Sequence, residues 1–256
     1  MSYVHIKPSK SKIEWTDYTI NPWSGCRKVS KGCKFCYMHR IMDNDNPNDV
    51  RQNFGYKWKL KQVPSGSKVF YCSISDFFIE EADPWRSEVW DLIRERQDLI
   101  FQLLTKRVDR IARFLPDVWG TGYPNVWLGV SIEDQEAAER MVTLASLKNE
   151  YSTNKIWLSL EPLLGPINLF EYEEAFEKID WVVIGGESGN DYGKHRYREC
   201  RLDWMYNLLL QCDLMEVPVF VKQLGTYLGK ALANGHSHGG NQKRFPKSLQ
   251  RFEFPN

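Results

Sequence analysis

What this chain lacks narrows its chemistry before any motif is read. It has almost no charge surplus: 34 Lys and Arg face 33 Asp and Glu, a formal net charge of +1, so no bulk field recruits nucleic acid. No stretch approaches the ~18 apolar residues of a membrane span, and no membrane partner is expected. The opening residues, Met1-Ser-Tyr-Val-His-Ile-Lys-Pro8, have no apolar run of the secretory type. There is no phosphate-cradling G-x4-G-K-S/T loop, no Ser-containing nucleophile elbow and no internal repeat. Cysteine is sparse, six in 256 residues, with a single C-x2-C. Clustered free thiols without a secretion signal fit a reducing compartment, and the expected location is the cytoplasm.

Half of those cysteines fall within eleven residues, Cys26-Arg-Lys-Val-Ser-Lys-Gly-Cys33-Lys-Phe-Cys36. A thiolate is a soft anionic ligand, so three on one loop can hold zinc or an iron–sulfur cluster. Structural zinc wants four ligands, usually two separated pairs. Here the second pair is missing, and only His39 is near enough in sequence to complete a local knuckle. Three ligands suit a 4Fe-4S cluster with one iron left open. Cys72, Cys200 and Cys212 are isolated and read as core residues.

Short apolar runs alternate with longer amphipathic ones. Val69–Ser73, Leu99–Leu104, Val126–Val130, Ile156–Leu160, Trp181–Ile184 and Val217–Val221 read as buried strands, with a first strand near Tyr18–Pro22. Pro84–Arg96, Asp134–Leu147 and Leu202–Cys212 are the clearest helices between them. Parallel neighbours need such crossovers. The α/β class follows, as an incomplete or small (βα) TIM-like barrel of six to seven parallel strands, although a doubly wound sheet would give the same string. The chain is expected to be one domain over 1–256, with the cysteine loop at 23–37 and a tail from about 229 to 256.

Barrel sites form where strands end, and polar residues collect there. Ser75 and Asp76 follow the second strand, Thr105-Lys106-Arg107 the third, Ser131 and Glu133 the fourth. Glu161 follows the fifth, Gly185-Gly186-Glu187-Ser188 the sixth, and Lys222-Gln223 the last. Loops are polar for ordinary reasons, but with the cysteines after the first strand these make seven ends in register, which point to one cavity. Two basic stretches carry aromatics, Tyr56-Lys-Trp-Lys-Leu-Lys61 and Lys243-Arg-Phe245 through Arg251-Phe252. Such stretches can track phosphates while stacking bases, though a solvated face is the commoner use.

The segment Cys33-Lys-Phe-Cys36-Tyr37 resembles the C-x-aromatic-C of radical S-adenosylmethionine (SAM) enzymes. There the usual spacing is C-x3-C-x2-C, whereas this chain has C-x6-C-x2-C. The whole chain is similar to a family with the longer loop, the radical-SAM-like three-cysteine proteins of phages, prophages and bacteria, largely a domain of unknown function. The likeness runs through Ile13-Glu-Trp-Thr16, Asn21-Pro-Trp23, Thr105-Lys-Arg107, Gly185-Gly-Glu-Ser-Gly189, Lys222-Gln223 and the Phe245-Pro246 to Phe254-Pro255 tail.

The resemblance implies a 4Fe-4S cluster on Cys26, Cys33 and Cys36, SAM on its open iron, an electron donor to reduce the cluster, and radical chemistry on a small-molecule or nucleotide substrate, with a nucleic-acid base included. The cofactor-binding candidates are then Ser75, Asp76, Thr105, Lys106, Ser131, Glu161, Gly185, Gly186, Glu187, Ser188 and Lys222. In the superfamily a Gly-Gly-Glu beside the SAM amino group follows the second strand; here it follows the sixth. Glu187 and the Ser75/Asp76 pair are therefore alternative partners for that group. Glu187 leads because its glycines permit close backbone approach. Two rivals remain: a non-catalytic zinc or iron–sulfur protein, and a nucleic-acid-binding module.

Overall fold

The computed structural model describes residues 8, 10–42 and 46–256; the Met1–Lys7 stretch read above for a signal lies outside them. Val126–Ser131 and Trp181–Gly185 are buried at every position, which is why they read as continuous apolar runs: a parallel strand is covered on both faces. Seven strands form the main sheet, β1 (Tyr18–Ile20), β2 (Lys68–Tyr71), β3 (Ile100–Thr105), β4 (Val126–Ser131), β5 (Lys155–Leu160), β6 (Trp181–Gly185) and β7 (Val219–Gln223). They lie in chain order and every pairing is parallel. The sheet curls into a half-barrel, a partial TIM-like fold, and the doubly wound alternative is thereby set aside, since it would reverse the strand order.

The helices are α1 (Tyr37–Ile41), α2 (Tyr56–Lys61), α3 (Asp83–Glu95), α4 (Arg140–Glu150), α5 (Glu173–Phe176), α6 (Leu202–Leu214) and α7 (Gly225–Ala231). Asp83 and Pro84 open α3, an acidic residue facing the helix dipole and a proline where no N–H is needed. The helix expected from Asp134 begins only at Arg140. Asp134 Oδ1 accepts from Ala137 N at 3.1 Å, and Glu136–Glu139 forms a 3-10 turn first. Among the described residues no helix is long and apolar enough to cross a membrane.

An open barrel leaves two strand edges, and both are covered. At β1, Lys10 bridges Tyr18 and Ser11 N donates to Asp17 O at 2.8 Å. At β7, Phe252 bridges Phe220, Val221 N donates to Arg251 O at 2.8 Å and Glu253 N to Val219 O at 3.0 Å. The tail is thus part of the sheet's seal. A two-residue antiparallel ribbon, Trp23–Ser24 with Arg51–Gln52, closes the base of the cysteine loop and had no signal in the sequence.

The convex face packs against the helices. The concave face holds a separate cluster of Trp15, Phe70, Trp127, Trp157, Trp181, Val183 and Phe220, with Trp15–Trp157 and Trp157–Trp181 centroids 5.3 and 5.2 Å apart. Gly129 sits opposite Trp157 in register, and a Cβ there would run into the indole. These aromatics fill the barrel near the strand starts. Inward positions further along, Ser131, Ser159, Glu161 and Lys222, are polar.

Candidate functional site

The strand ends open on one cavity of about 170 Å³, and Cys26, Cys33 and Cys36 all line it. So do Ser75, Asp76, Thr105, Lys106, Ser131, Glu161, Gly186, Glu187, Ser188 and Lys222. Gly185 lies just beneath: a Cβ on it would come within 3.0 Å of the Glu161 carboxyl.

Charges at the mouth are paired between strand ends. Asp76 meets Arg107 at 3.2 Å, Glu133 meets Lys106 at 2.6 Å and Arg140 at 2.8 Å, and Glu161 meets Lys222 at 2.8 Å. Glu187 receives Arg198 through both carboxylate oxygens. Most of these pairs also reach the cysteine loop. Ser30 Oγ donates to Glu133 Oε1 at 2.6 Å, Arg107 Nη2 to Arg27 O at 3.3 Å, and Arg198 Nη1 to Lys31 O at 2.9 Å. Ser75 Oγ donates to Gly25 O at 2.5 Å and Tyr37 OH donates to Ser73 O. Gly32 packs so closely on Glu133 that no Cβ would fit. The loop is therefore strapped over the barrel mouth from four sides.

This pairing separates the candidates by what their side chains are free to do. Asp76 accepts from Thr105 Oγ1 (2.6 Å), Phe78 N (2.9 Å) and Lys106 N (3.0 Å) besides Arg107. Glu187, 5% exposed, is turned to Arg198 and also accepts from Arg198 N at 2.8 Å. Both carboxylates brace the loop. Glu161 is different: it faces the cavity with Lys222 and Gln223, the latter donating to its Oε1 at 2.9 Å. Ser30, Ser159, Arg140 and Arg198 were missed in the sequence; Arg198 stands in the Arg-rich run Arg196-Tyr-Arg198 after the Gly-Gly-Glu, the one signal that could have marked it.

Burial pushes the Cys26 thiol up to about 12, with Asp76 adding to the shift and Arg107 opposing it. Burial also raises Cys36, against the backbone N–H groups of Met38 and His39 at the start of α1. Neutral thiols are poor nucleophiles; a cation that displaces their protons would make them ligands. Cys72 lines the cavity too, buried and with a left-handed φ of 64° at the turn out of β2. Cys200 and Cys212 lie wholly in the outer core.

Among the described residues no group of three or more His, Cys, Asp or Glu converges closely enough to hold a metal ion. A tetrahedral zinc at 2.3 Å from each sulfur would draw the sulfurs to about 3.8 Å of one another. A cubane instead keeps each thiolate on its own iron. Three thiols lining one cavity are a donor set of that chemical kind.

The basic aromatic stretches are placed elsewhere. Tyr56 and Leu60 of α2 point into the core, Lys57 pairs with Glu88, and Phe245 and Leu249 of the tail are buried. A comparison with curated proteins finds no match. The match to a family model covers residues 10–247, and the chain belongs to that family, described as protein of unknown function (DUF5131).

Proposed function

We propose that the protein is an iron–sulfur enzyme of the radical SAM type, holding a 4Fe-4S cluster on Cys26, Cys33 and Cys36 and SAM beside it. The observation that carries this reading is the strapped loop, which turns three thiols into the same cavity as the polar ends of a parallel half-barrel. When bound, the reduced cluster supplies the electron that cleaves SAM and starts radical chemistry. The chain's own part is to hold and orient. Asp76, Glu133 and Glu187, through their cations, fix the loop. Glu161 and Lys222 offer adjacent opposite charges that suit the ammonium and carboxylate of SAM's amino-acid end. Ser131, Gly186 and Ser188 offer polar and close-approach positions along the same wall. The tryptophan plug fills the barrel below, which limits the entry of water from that side.

The test is anaerobic reconstitution followed by iron, sulfide and zinc analysis, then addition of SAM and a reductant with 5′-deoxyadenosine as the measured product. About four irons per chain and reductant-dependent 5′-deoxyadenosine are expected. Stoichiometric zinc without iron, or a cluster that leaves SAM untouched, would overturn the reading in favour of a non-catalytic metalloprotein.

A further inference from the structure

Although the chain is almost neutral, its charge is unevenly placed. Residues 27–40, which carry the cysteine loop and α1, contain five Lys or Arg and no carboxylate; residues 190–201, the loop after β6, contain four against two. The remainder of the chain is consequently acidic. The fold brings the two basic segments together above the cavity. Arg198 donates to Lys31 O and lies 5.4 Å from the Phe35 ring centroid. Lys28 Nζ donates to Lys34 O at 3.0 Å, and Lys34 Nζ sits 5.2 Å from the same ring. His39 is held below its ordinary pKa by burial and then by Lys28 and His195, which places the β6 loop against α1.

Part of this charge is answered internally: Arg27 by Glu81, Lys31 by Asp134 and Glu136, Arg198 by Glu187. Among the described residues, Lys28, Lys34, Arg40 and Arg196 form no ion pair. Arg196 has only the more distant Asp191 opposite it, and cations set this close without ion-pair partners repel one another, a strain that an anionic chain laid across them would relieve. Aromatic faces stand among them. Tyr192 is 88% exposed, and Phe35 lines the cavity with cations over its ring.

We infer that the substrate of this site is a single-stranded or locally unpaired nucleic acid, its phosphates held by Lys28, Lys34, Arg40 and Arg196 and one base turned down between Phe35 and the strand ends. The inference rests on the proposed activity for its chemistry, but strand binding itself needs no cluster. A strand is favoured over an acidic protein because the rim surrounds a cavity: a protein surface has nothing to insert, whereas a splayed base does. Duplex is disfavoured for the same reason, since a stacked base cannot reach the strand ends.

Fluorescence anisotropy with labelled single-stranded DNA and RNA 20-mers, and the matching duplex, tests this on the reconstituted full chain. Single strands should bind more tightly than duplex, with affinity falling steeply with salt. The pair Lys28→Glu/Lys34→Glu should weaken binding by about tenfold or more and flatten the salt slope by about two. Arg196→Glu, outside the cysteine loop, should act in the same direction, while Arg94→Glu on α3 should change nothing. Cys33→Ala should still bind the strand. If Cys33→Ala binds while the native protein shows no SAM cleavage, the enzymatic reading falls and the binding inference stands. Absence of strand binding at low salt, binding indifferent to rim reversal, or rim variants that slow reduction by an acidic electron carrier but leave oligonucleotide affinity intact would each overturn it.

Discussion

Arg198 joins Glu187 to the cysteine loop: its guanidinium grips both oxygens of a carboxylate that is 5% exposed and, through Nη1, donates to Lys31 O at 2.9 Å. Removing it leaves a buried carboxylate without its cation and takes from the Lys31 carbonyl one of its two donors, the other being Lys34 N at 3.2 Å. Arg198→Ala should lower stability by about 2–3 kcal/mol and speed amide exchange across residues 30–36. Arg198→Lys should rescue little, because an ammonium cannot take two carboxylate oxygens and a carbonyl at fixed angles. Chemical denaturation and hydrogen exchange read both effects; an unchanged exchange rate in the loop would show that the other straps suffice.

The ligand set is tested by single substitutions. Alanine at Cys26, Cys33 or Cys36 should abolish iron retention after reconstitution, while alanine at Cys200 or Cys212 should leave it intact, since both lie in the outer core. Cys72 is the discriminating case, because it lines the cavity yet was read as packing. Cys72→Ala should keep the cluster and lose some stability. Iron loss in that variant would make it a fourth ligand.

Much of the fold was legible because parallel strands buried on both faces must be nearly continuous apolar runs. All seven were visible, displaced by a residue or two, as at β7, where Pro218 lies outside the strand that the sequence reading began at Val217. Strand-end residues were visible for the same reason. What each strand-end charge does was not. Asp76 and Glu187 look like Glu161 in sequence, and only the fold shows that the first two face Arg107 and Arg198 while the third faces the cavity. Residues such as Arg198 and Ser30 meet partners 11 and 103 residues away, and no local pattern encodes a pairing of that kind. The Trp23–Ser24 ribbon is too short to carry a period.

Gly129→Ala tests the tryptophan plug. The new methyl would enter space held by Trp157, and that indole is wedged against Trp15 and Trp181. Overpacking of this kind costs about 1–3 kcal/mol. The expected result is a lower denaturation midpoint with an unchanged denaturant slope. Wild-type stability would mean that the plug has slack.

Acid should loosen the cysteine loop through Glu133. Burial raises its pKa, but Lys106, Arg140 and the hydroxyl of Ser30 outweigh it, and the folded value lies below the ordinary 4.5. A depressed carboxylate contributes stability that is present above the unfolded pKa and lost as pH falls through the folded one. The wild type should therefore lose stability below about pH 4.5 more steeply than Glu133→Gln, which lacks that ionisation and should be weaker at pH 7. Melting temperatures of both proteins from pH 3 to 7 give the comparison. Parallel profiles would remove Glu133 as the acid-sensitive strap.

Among Asp76, Glu161 and Glu187, Glu161 is the one expected to receive the SAM ammonium. Asp76 and Glu187 are each engaged by several donors of the chain itself, and releasing either would undo a strap on the loop that carries the cysteines. Glu161 can turn from Lys222 towards a ligand without loosening any strap, and Lys222 is then free for the ligand's carboxylate. A charge-assisted hydrogen bond of this kind is worth about 1.5–3 kcal/mol, so Glu161→Gln should weaken SAM binding by roughly ten- to a hundredfold with iron content and melting temperature near wild type. Glu187→Gln and Asp76→Asn should show the opposite pattern, reduced stability and iron retention with near-native SAM affinity in whatever fraction keeps its cluster. Titration of SAM against each reconstituted variant, normalised to iron, separates the two. Weakened binding in Glu187→Gln with full iron and native stability would return the role to the Gly-Gly-Glu segment and reduce Glu161 to a partner of Lys222.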